Sequence, residues 1–184
     1  MLDTGFVRLP GDIGQPASHD GPVLFETVPK ASAARVVGGI ASLTDPAQRA
    51  AAVKPFIAAG ERLVARGATG ITTSCGFLVT YQDALQAALP VPVMTSALCL
   101  LPEIAAGRRV GVLTFDAASL GAMHLRAADV LEAARRLPGD VEVVLLECTN
   151  FPPHREAVAR KLCVPVFDIW DAVRHLDDLS RRHE

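Results

Sequence analysis

The stretch that decides the fold is Val141–Asn150, VEVVLLECTN. Four apolar residues run without interruption from Val143 to Leu146, too short for a buried helix and right for a strand covered on both faces. A cysteine and two small polar residues follow at the end of that strand. Working outward, Arg109–Thr114 (RVGVLT) reads as a neighbouring buried strand, and Pro138-Gly139-Asp140 as the turn that leads into Val141–Glu147. Pro152–Leu162 reads as a helix, Val164–Ile169 as a strand and Trp170–Arg182 as a closing helix. Ala117–Leu137 has helical periodicity.

The first part of the chain has the same alternation. Pro22–Val28 (PVLFETV) reads as a strand. Thr44-Asp45-Pro46 is a helix start, with a capping residue ahead of proline, and the helix runs to about Arg66 before Gly67. Ala68–Ser74 reads as a strand, Leu78–Leu89 as a helix, Val91–Thr95 as a short strand and Ala97–Ala106 as a helix stopped by Gly107. Short apolar strands alternating with helices imply parallel strands joined by right-handed crossovers. The expectation is an α/β protein of two lobes, residues 1–106 and 107–184, each with a mostly parallel sheet flanked by helices. Ligands of such sheets bind at the carboxyl ends of the strands.

Composition narrows the function classes. Of 184 residues, 50% are hydrophobic and 5% aromatic, enough apolar surface for a sizeable core. A formal charge of −2, with both signs interspersed, gives no footprint for nucleic acid. No run approaches the roughly 18 apolar residues of a membrane span, and Met1-Leu2-Asp3 lacks the basic and apolar parts of a signal peptide. The cysteines at 75, 99, 148 and 163 show no metal-ligand spacing, and the expectation is a cytoplasmic protein with free thiols and no metal. The lysines, Lys30, Lys54 and Lys161, sit at no strand end, which argues against a pyridoxal Schiff base.

Cys75 and Cys148 stand out from the other two thiols. Each ends a strand and precedes a helix, in Thr72-Thr73-Ser74-Cys75-Gly76 and Glu147-Cys148-Thr149-Asn150. Cys99 and Cys163 sit in apolar surroundings and read as core. Thiolates form where donors and helix N-termini stabilise charge. Thr73, Ser74, Thr149 and Asn150 supply neutral donors, and Gly76 allows close approach of a backbone amide to a carboxylate; the same residues also suit turns and helix caps. Two thiols at equivalent strand ends suit removal of a proton from one side of a carbon and its return from the other. His154, six residues after Cys148, is either the base of a cysteine hydrolase or a surface histidine at a helix start. Asp3-Thr4-Gly5 either brings a carboxylate and a hydroxyl to the cleft or is an ordinary turn.

At these residues the chain resembles the aspartate/glutamate/hydantoin racemase superfamily, in particular aspartate/glutamate racemase family proteins. The resemblance rests on Leu2-Asp3-Thr4-Gly5 with Pro10-Gly11-Asp12-Ile13-Gly14, on the Cys75 motif, on Arg109–Ser119 and on Leu146–Pro153. It implies two pseudo-symmetric lobes with the active site between them, proton transfer by Cys75 and Cys148 without a cofactor, and a homodimer. It places Asp3, Thr4, Thr73, Ser74, Gly76, Thr114, Thr149 and Asn150 around a small carboxylate-bearing substrate. The chain departs from that pattern in three places. Only Met1 and Leu2 precede Asp3, a βα unit is lacking around Ala127-Ala128-Asp129 so that the second lobe is shortened, and Phe77 replaces a polar residue. The expected function is an isomerase, a two-cysteine racemase or epimerase of a small carboxylate such as an amino acid. The alternatives are a related cysteine-dependent decarboxylase or maleate-type cis–trans isomerase, and a catalytically silent binding protein of the same fold.

Overall fold

The computed structural model describes residues 1–5, 7–32, 35–36, 45–114, 134 and 137–182. Helix α1 spans Pro46–Ala65. Asp45 caps it, accepting from Ala47 N at 2.9 Å, while proline takes a first-turn position where a missing N–H costs nothing. Gly67, at φ +91°, turns the chain out of the helix into β1, Ile71–Thr72. A 3-10 helix at Gly76–Tyr81 runs into α2, Gln82–Ala88, and β2 is Val93–Met94. A 3-10 turn at Ala97–Leu100 leads into α3, Leu101–Ile104. The second sheet holds β3, Val110–Leu113, β4, Val143–Leu146, and β5, Val166–Phe167. Helices α4, Arg155–Leu162, and α5, Ile169–Arg181, lie either side of β5 in sequence.

β1 and β2 pair in parallel, and β3-β4-β5 form a second sheet with both pairings parallel. The α/β class expected from the alternation is therefore present. β4 is the middle strand, and all four of its side chains are fully buried. Its pleat divides them between two cores. Val143 and Leu145 pack with Leu100, Ile104, Ile169 and Leu176, while Val144 and Leu146 pack with Leu113, Phe151 and Val158. At roughly 2 kcal/mol for each large apolar side chain buried, this one strand contributes on the order of 8 kcal/mol before conformational entropy is charged. β2 is divided in the same way, Val93 facing the core of α1 and α2 and Met94 the core of α5. The strand ends of both sheets are thus anchored on two sides, and the residues that follow them are held in place.

Three expectations are corrected. Pro22–Val28 forms no strand; its one ladder contact is a parallel bridge between Leu2 and Val28, and Val23 and Leu24 are exposed. A strand needs a neighbour that continues the pairing, and among the described residues only Leu2 pairs with this segment. Cys163 is exposed, because it caps α4 in the left-handed region at φ 55°. His154 is buried at the end of a 3-10 turn, Pro152–His154, and is no surface residue. The helix expected over Ala117–Leu137 and the gap placed at Ala127–Asp129 lie almost wholly outside the described residues. Among the described residues, no helix is long and apolar enough to cross a membrane, and no group of three or more His, Cys, Asp or Glu side chains is arranged for a metal.

Candidate active site

Cys75 follows β1 as the N-cap of the 3-10 helix, and Cys148 follows β4 two residues after its end. The two motifs are laced together. Thr149 Oγ1 donates to Ser74 O at 2.7 Å, across 75 positions of sequence. Gly76 lies so close to Glu147 that an added Cβ would stand 2.6 Å from Glu147 Cδ and nearer still to two Glu147 oxygens. The absence of a side chain at position 76 is what lets the segments after β1 and β4 meet. The segments that carry the two cysteines therefore meet at these strand ends.

The hydroxyls expected to bind substrate mostly brace this junction. Thr73 Oγ1 donates to Thr95 O at 2.6 Å and accepts from Cys75 N at 3.3 Å, fixing the backbone that carries Cys75. Ser74 Oγ accepts from Leu2 N at 3.1 Å, which docks the start of the chain beside β1. Thr114 Oγ1 donates to Glu147 Oε2 at 2.9 Å. Asn150 Nδ2 donates to Asp12 Oδ2 at 2.6 Å, and the Cys148 thiol donates to Asn150 Oδ1 at 3.6 Å. Thr4 is half-buried and accepts from Arg8 at 3.5 Å. Asp3 is exposed, and its carboxylate accepts from Lys30 N at 3.1 Å.

Two residues that the sequence did not single out belong to the site. Glu147 is 3% exposed, stands beside Gly76, and its charge acts on both thiols. Asp12 is 2% exposed and its charge acts on Cys148. The available signals were the carboxylate adjoining Cys148 and the aspartate within Pro10–Gly14, a segment with no strand or helix to interpret it by.

Burial pushes the Cys75 thiol up to about 11; the backbone amides of Phe77 and Leu78 oppose the rise and Glu147 adds to it. Burial likewise pushes Cys148 up to about 12, opposed by the Asn150 amide and reinforced by Glu147, Cys75 and Asp12. Around neutrality the ligand-free site holds two thiols.

A stability consequence follows with a definite sign. Both pKa values are raised on folding, so the folded protein keeps protons that the unfolded chain gives up near pH 9. The contribution is complete below that pH and drains as pH climbs toward 11 and 12. At pH 10 each cysteine has withdrawn about 1.4 kcal/mol, roughly 3 kcal/mol for the pair. Urea denaturation at pH 8 and pH 10 should show a steeper loss for the wild type than for Cys148→Ser, by about 1 kcal/mol.

No family model matches the chain. Among curated proteins it is 24% identical over 219 aligned residues to dimethylsulfoniopropionate lyase of Durusdinium sp. clade D, covering 91% of this chain and 69% of that protein. It is 24% identical over 217 residues to dimethylsulfoniopropionate lyase 7 of Emiliania huxleyi (strain CCMP1516), covering 91% of this chain and 62% of that one. For lyase 6 of the same organism the figures are 25%, 91% and 55%. The chain thus spans between about half and somewhat over two thirds of these relatives, and the aligned stretches are longer than its own 184 residues. Among solved structures, a glycine-to-cysteine mutant of arylmalonate decarboxylase in its sulfate-associated form matches with a TM-score of 0.50 and 22% identity, over 74% of this chain and 78% of that one. The fold is of that α/β kind. The sequence relatives are lyases by name, which corrects the isomerase and racemase expectation.

Proposed function

We propose that this protein is a thiol-based lyase of a small carboxylate, and that its reaction is elimination from a substrate carrying a positive β-substituent, of the kind represented by dimethylsulfoniopropionate. The observation that carries this reading is the apposition of the Cys75 and Cys148 motifs through Gly76, Glu147, Ser74 and Thr149. Sequence similarity over 91% of the chain to dimethylsulfoniopropionate lyases supports the reaction class.

The electrostatics favour a zwitterion over a dianion. Among the described residues, Glu147 and Asp12 place negative charge near the thiols, and Arg8 is bound to Asp12 at 2.7 Å. A malonate would bring two further negative charges to this site, whereas a sulfonium offsets the charge that Glu147 imposes on Cys75. The same positive charge lowers the cost of forming the Cys75 thiolate, the species that can act as a base. In the reaction that thiolate takes the proton from the carbon beside the carboxylate. The C–H electron pair becomes the new double bond, and the carbon–sulfur bond breaks with its pair on sulfur, leaving dimethyl sulfide and acrylate. The Cys75 thiol then returns its proton to solvent. Cys148, keeping its proton, donates to the charge that develops during proton removal.

The test is incubation of the protein with dimethylsulfoniopropionate, with an arylmalonate and with the two enantiomers of aspartate and glutamate. Dimethyl sulfide is measured by gas chromatography, carbon dioxide by trapping, and optical rotation throughout. The expected result is dimethyl sulfide and acrylate in equal amounts. Carbon dioxide release from the malonate alone would replace elimination by decarboxylation, and no turnover of any substrate would overturn the lyase reading.

A further inference from the structure

Asp12 lies far from Cys148 in sequence, yet the structure builds a short chain of hydrogen bonds between them. A carboxylate only accepts. Asp12 Oδ1 takes Arg8 NH1 at 2.7 Å and Gly14 N at 2.7 Å, and Oδ2 takes Asn150 Nδ2 at 2.6 Å. This fixes which end of the Asn150 amide faces which neighbour. With the nitrogen held by Asp12, the carbonyl Oδ1 is turned to the Cys148 thiol, which donates to it at 3.6 Å. The loop that carries Asp12 is itself anchored. Trp170 Nε1 donates to Gly11 O at 2.8 Å, and Gly11, at φ +91°, passes Pro153 where a Cβ would stand 3.5 Å from its Cα.

Cys75 differs in its side-chain partner. Backbone amides favour the charged form of both thiols, Phe77 and Leu78 at Cys75 and Asn150 at Cys148, but among the described residues no side chain accepts the Cys75 proton as the Asn150 carbonyl accepts that of Cys148. We infer that Asp12 is a positioning residue for Cys148: by holding the Asn150 amide nitrogen it aims the Asn150 carbonyl at the Cys148 thiol and keeps that thiol protonated, which makes Cys148 the acid and Cys75 the base of the pair. The inference rests on the two-thiol lyase reading for its catalytic meaning, while the hydrogen-bond chain stands on its own. The charged and titratable groups that act on Cys148 are Glu147, Cys75 and Asp12, with Arg8 bound to Asp12 from the same N-terminal segment.

The experiment measures iodoacetamide alkylation of Cys75 and Cys148 separately, by brief pH-jump quench-flow exposure across pH 8 to 13 and peptide mass mapping, in the wild type, Asp12→Asn and Asn150→Ala. The midpoint of each pH–rate curve is read, because it does not depend on how open the site is. The expected result is a fall of about one unit in the Cys148 midpoint for both variants, tenfold in thiolate population at a fixed pH, with the Cys75 midpoint unmoved. An unchanged Cys148 midpoint in Asp12→Asn overturns the inference. So does a shift in Asp12→Asn that Asn150→Ala fails to reproduce, since Asp12 would then act by its charge alone. Parallel shifts of both cysteines mean general loosening and also overturn it. The alkylation readout needs no turnover: a Cys148 shift in a protein that breaks down no acid overturns the lyase reading alone, and turnover without the shift overturns the positioning alone.

Discussion

Cys75→Ser lowers kcat for the elimination roughly 10³-fold, and Cys148→Ser lowers it roughly 10²-fold, within the range that a positioned acid or base contributes. The base suffers more because a serine hydroxyl is far harder to ionise and cannot supply the conjugate base that a thiol with a pKa pushed to about 11 still supplies. Removing the acid leaves the backbone amides near Cys75 and the remaining donors in place. KM changes little in either variant, since serine preserves shape and the losses belong to the transition state. Cys99 and Cys163 provide the comparison. The Cys99 thiol donates to Gln82 Oε1 at 3.3 Å, and Cys163 is exposed at the end of α4, so serine at either position should leave kcat unchanged. The measurement is steady-state dimethyl sulfide release by the four single variants.

Gly76→Ala is the second large effect, and it acts through the scaffold. The added methyl would overlap the carbonyl and carboxylate oxygens of Glu147, one of which is backbone and cannot swing aside. The junction must open, at a cost of about 1–3 kcal/mol or more for overpacking. Because both thiols are placed by that junction, kcat should fall at least 10²-fold, a sub-ångström to ångström displacement being enough. Gly139→Ala is the control: among the described residues, its chain neighbours aside, no atom lies within 4 Å of its added Cβ. Thermal unfolding and dimethyl sulfide release, measured on the two variants together, should show both losses in Gly76→Ala and neither in Gly139→Ala.

The strand Val141–Glu147 was legible because a middle strand buried on both faces leaves an unbroken apolar run, and β4 is that strand. The start of α1 was legible because Asp45 and Pro46 act locally. Pro22–Val28 misled because its residue types suit a strand, whereas a ladder depends on a partner that local sequence does not contain. Cys163 misled for a related reason: apolar neighbours suggested burial, but its left-handed backbone turns it outward at a helix end. The two candidate cysteines stood out because each was expected at a strand end with polar neighbours, and the structure does place them after β1 and β4. Asp12 was not, because its meaning comes from Asn150, 138 residues away. Nor was the work of Thr73 and Thr149, whose hydroxyls bond to carbonyls on other strand ends and brace the thiols. The activity class was the least legible part. A pair of thiols suits isomerisation and, in the reading proposed above, bond cleavage, and the choice then depends on the leaving group that the substrate brings.

The central claim is that Cys75 and Cys148 face one another across a single site. Dibromobimane tests it without any knowledge of the substrate, since the reagent fluoresces only when both of its bromomethyl groups are displaced. In protein carrying Cys99→Ser and Cys163→Ser, at pH 9, the expected product is a fluorescent adduct linking the peptides that contain Cys75 and Cys148. Separate, non-fluorescent single adducts on the two cysteines would contradict the account.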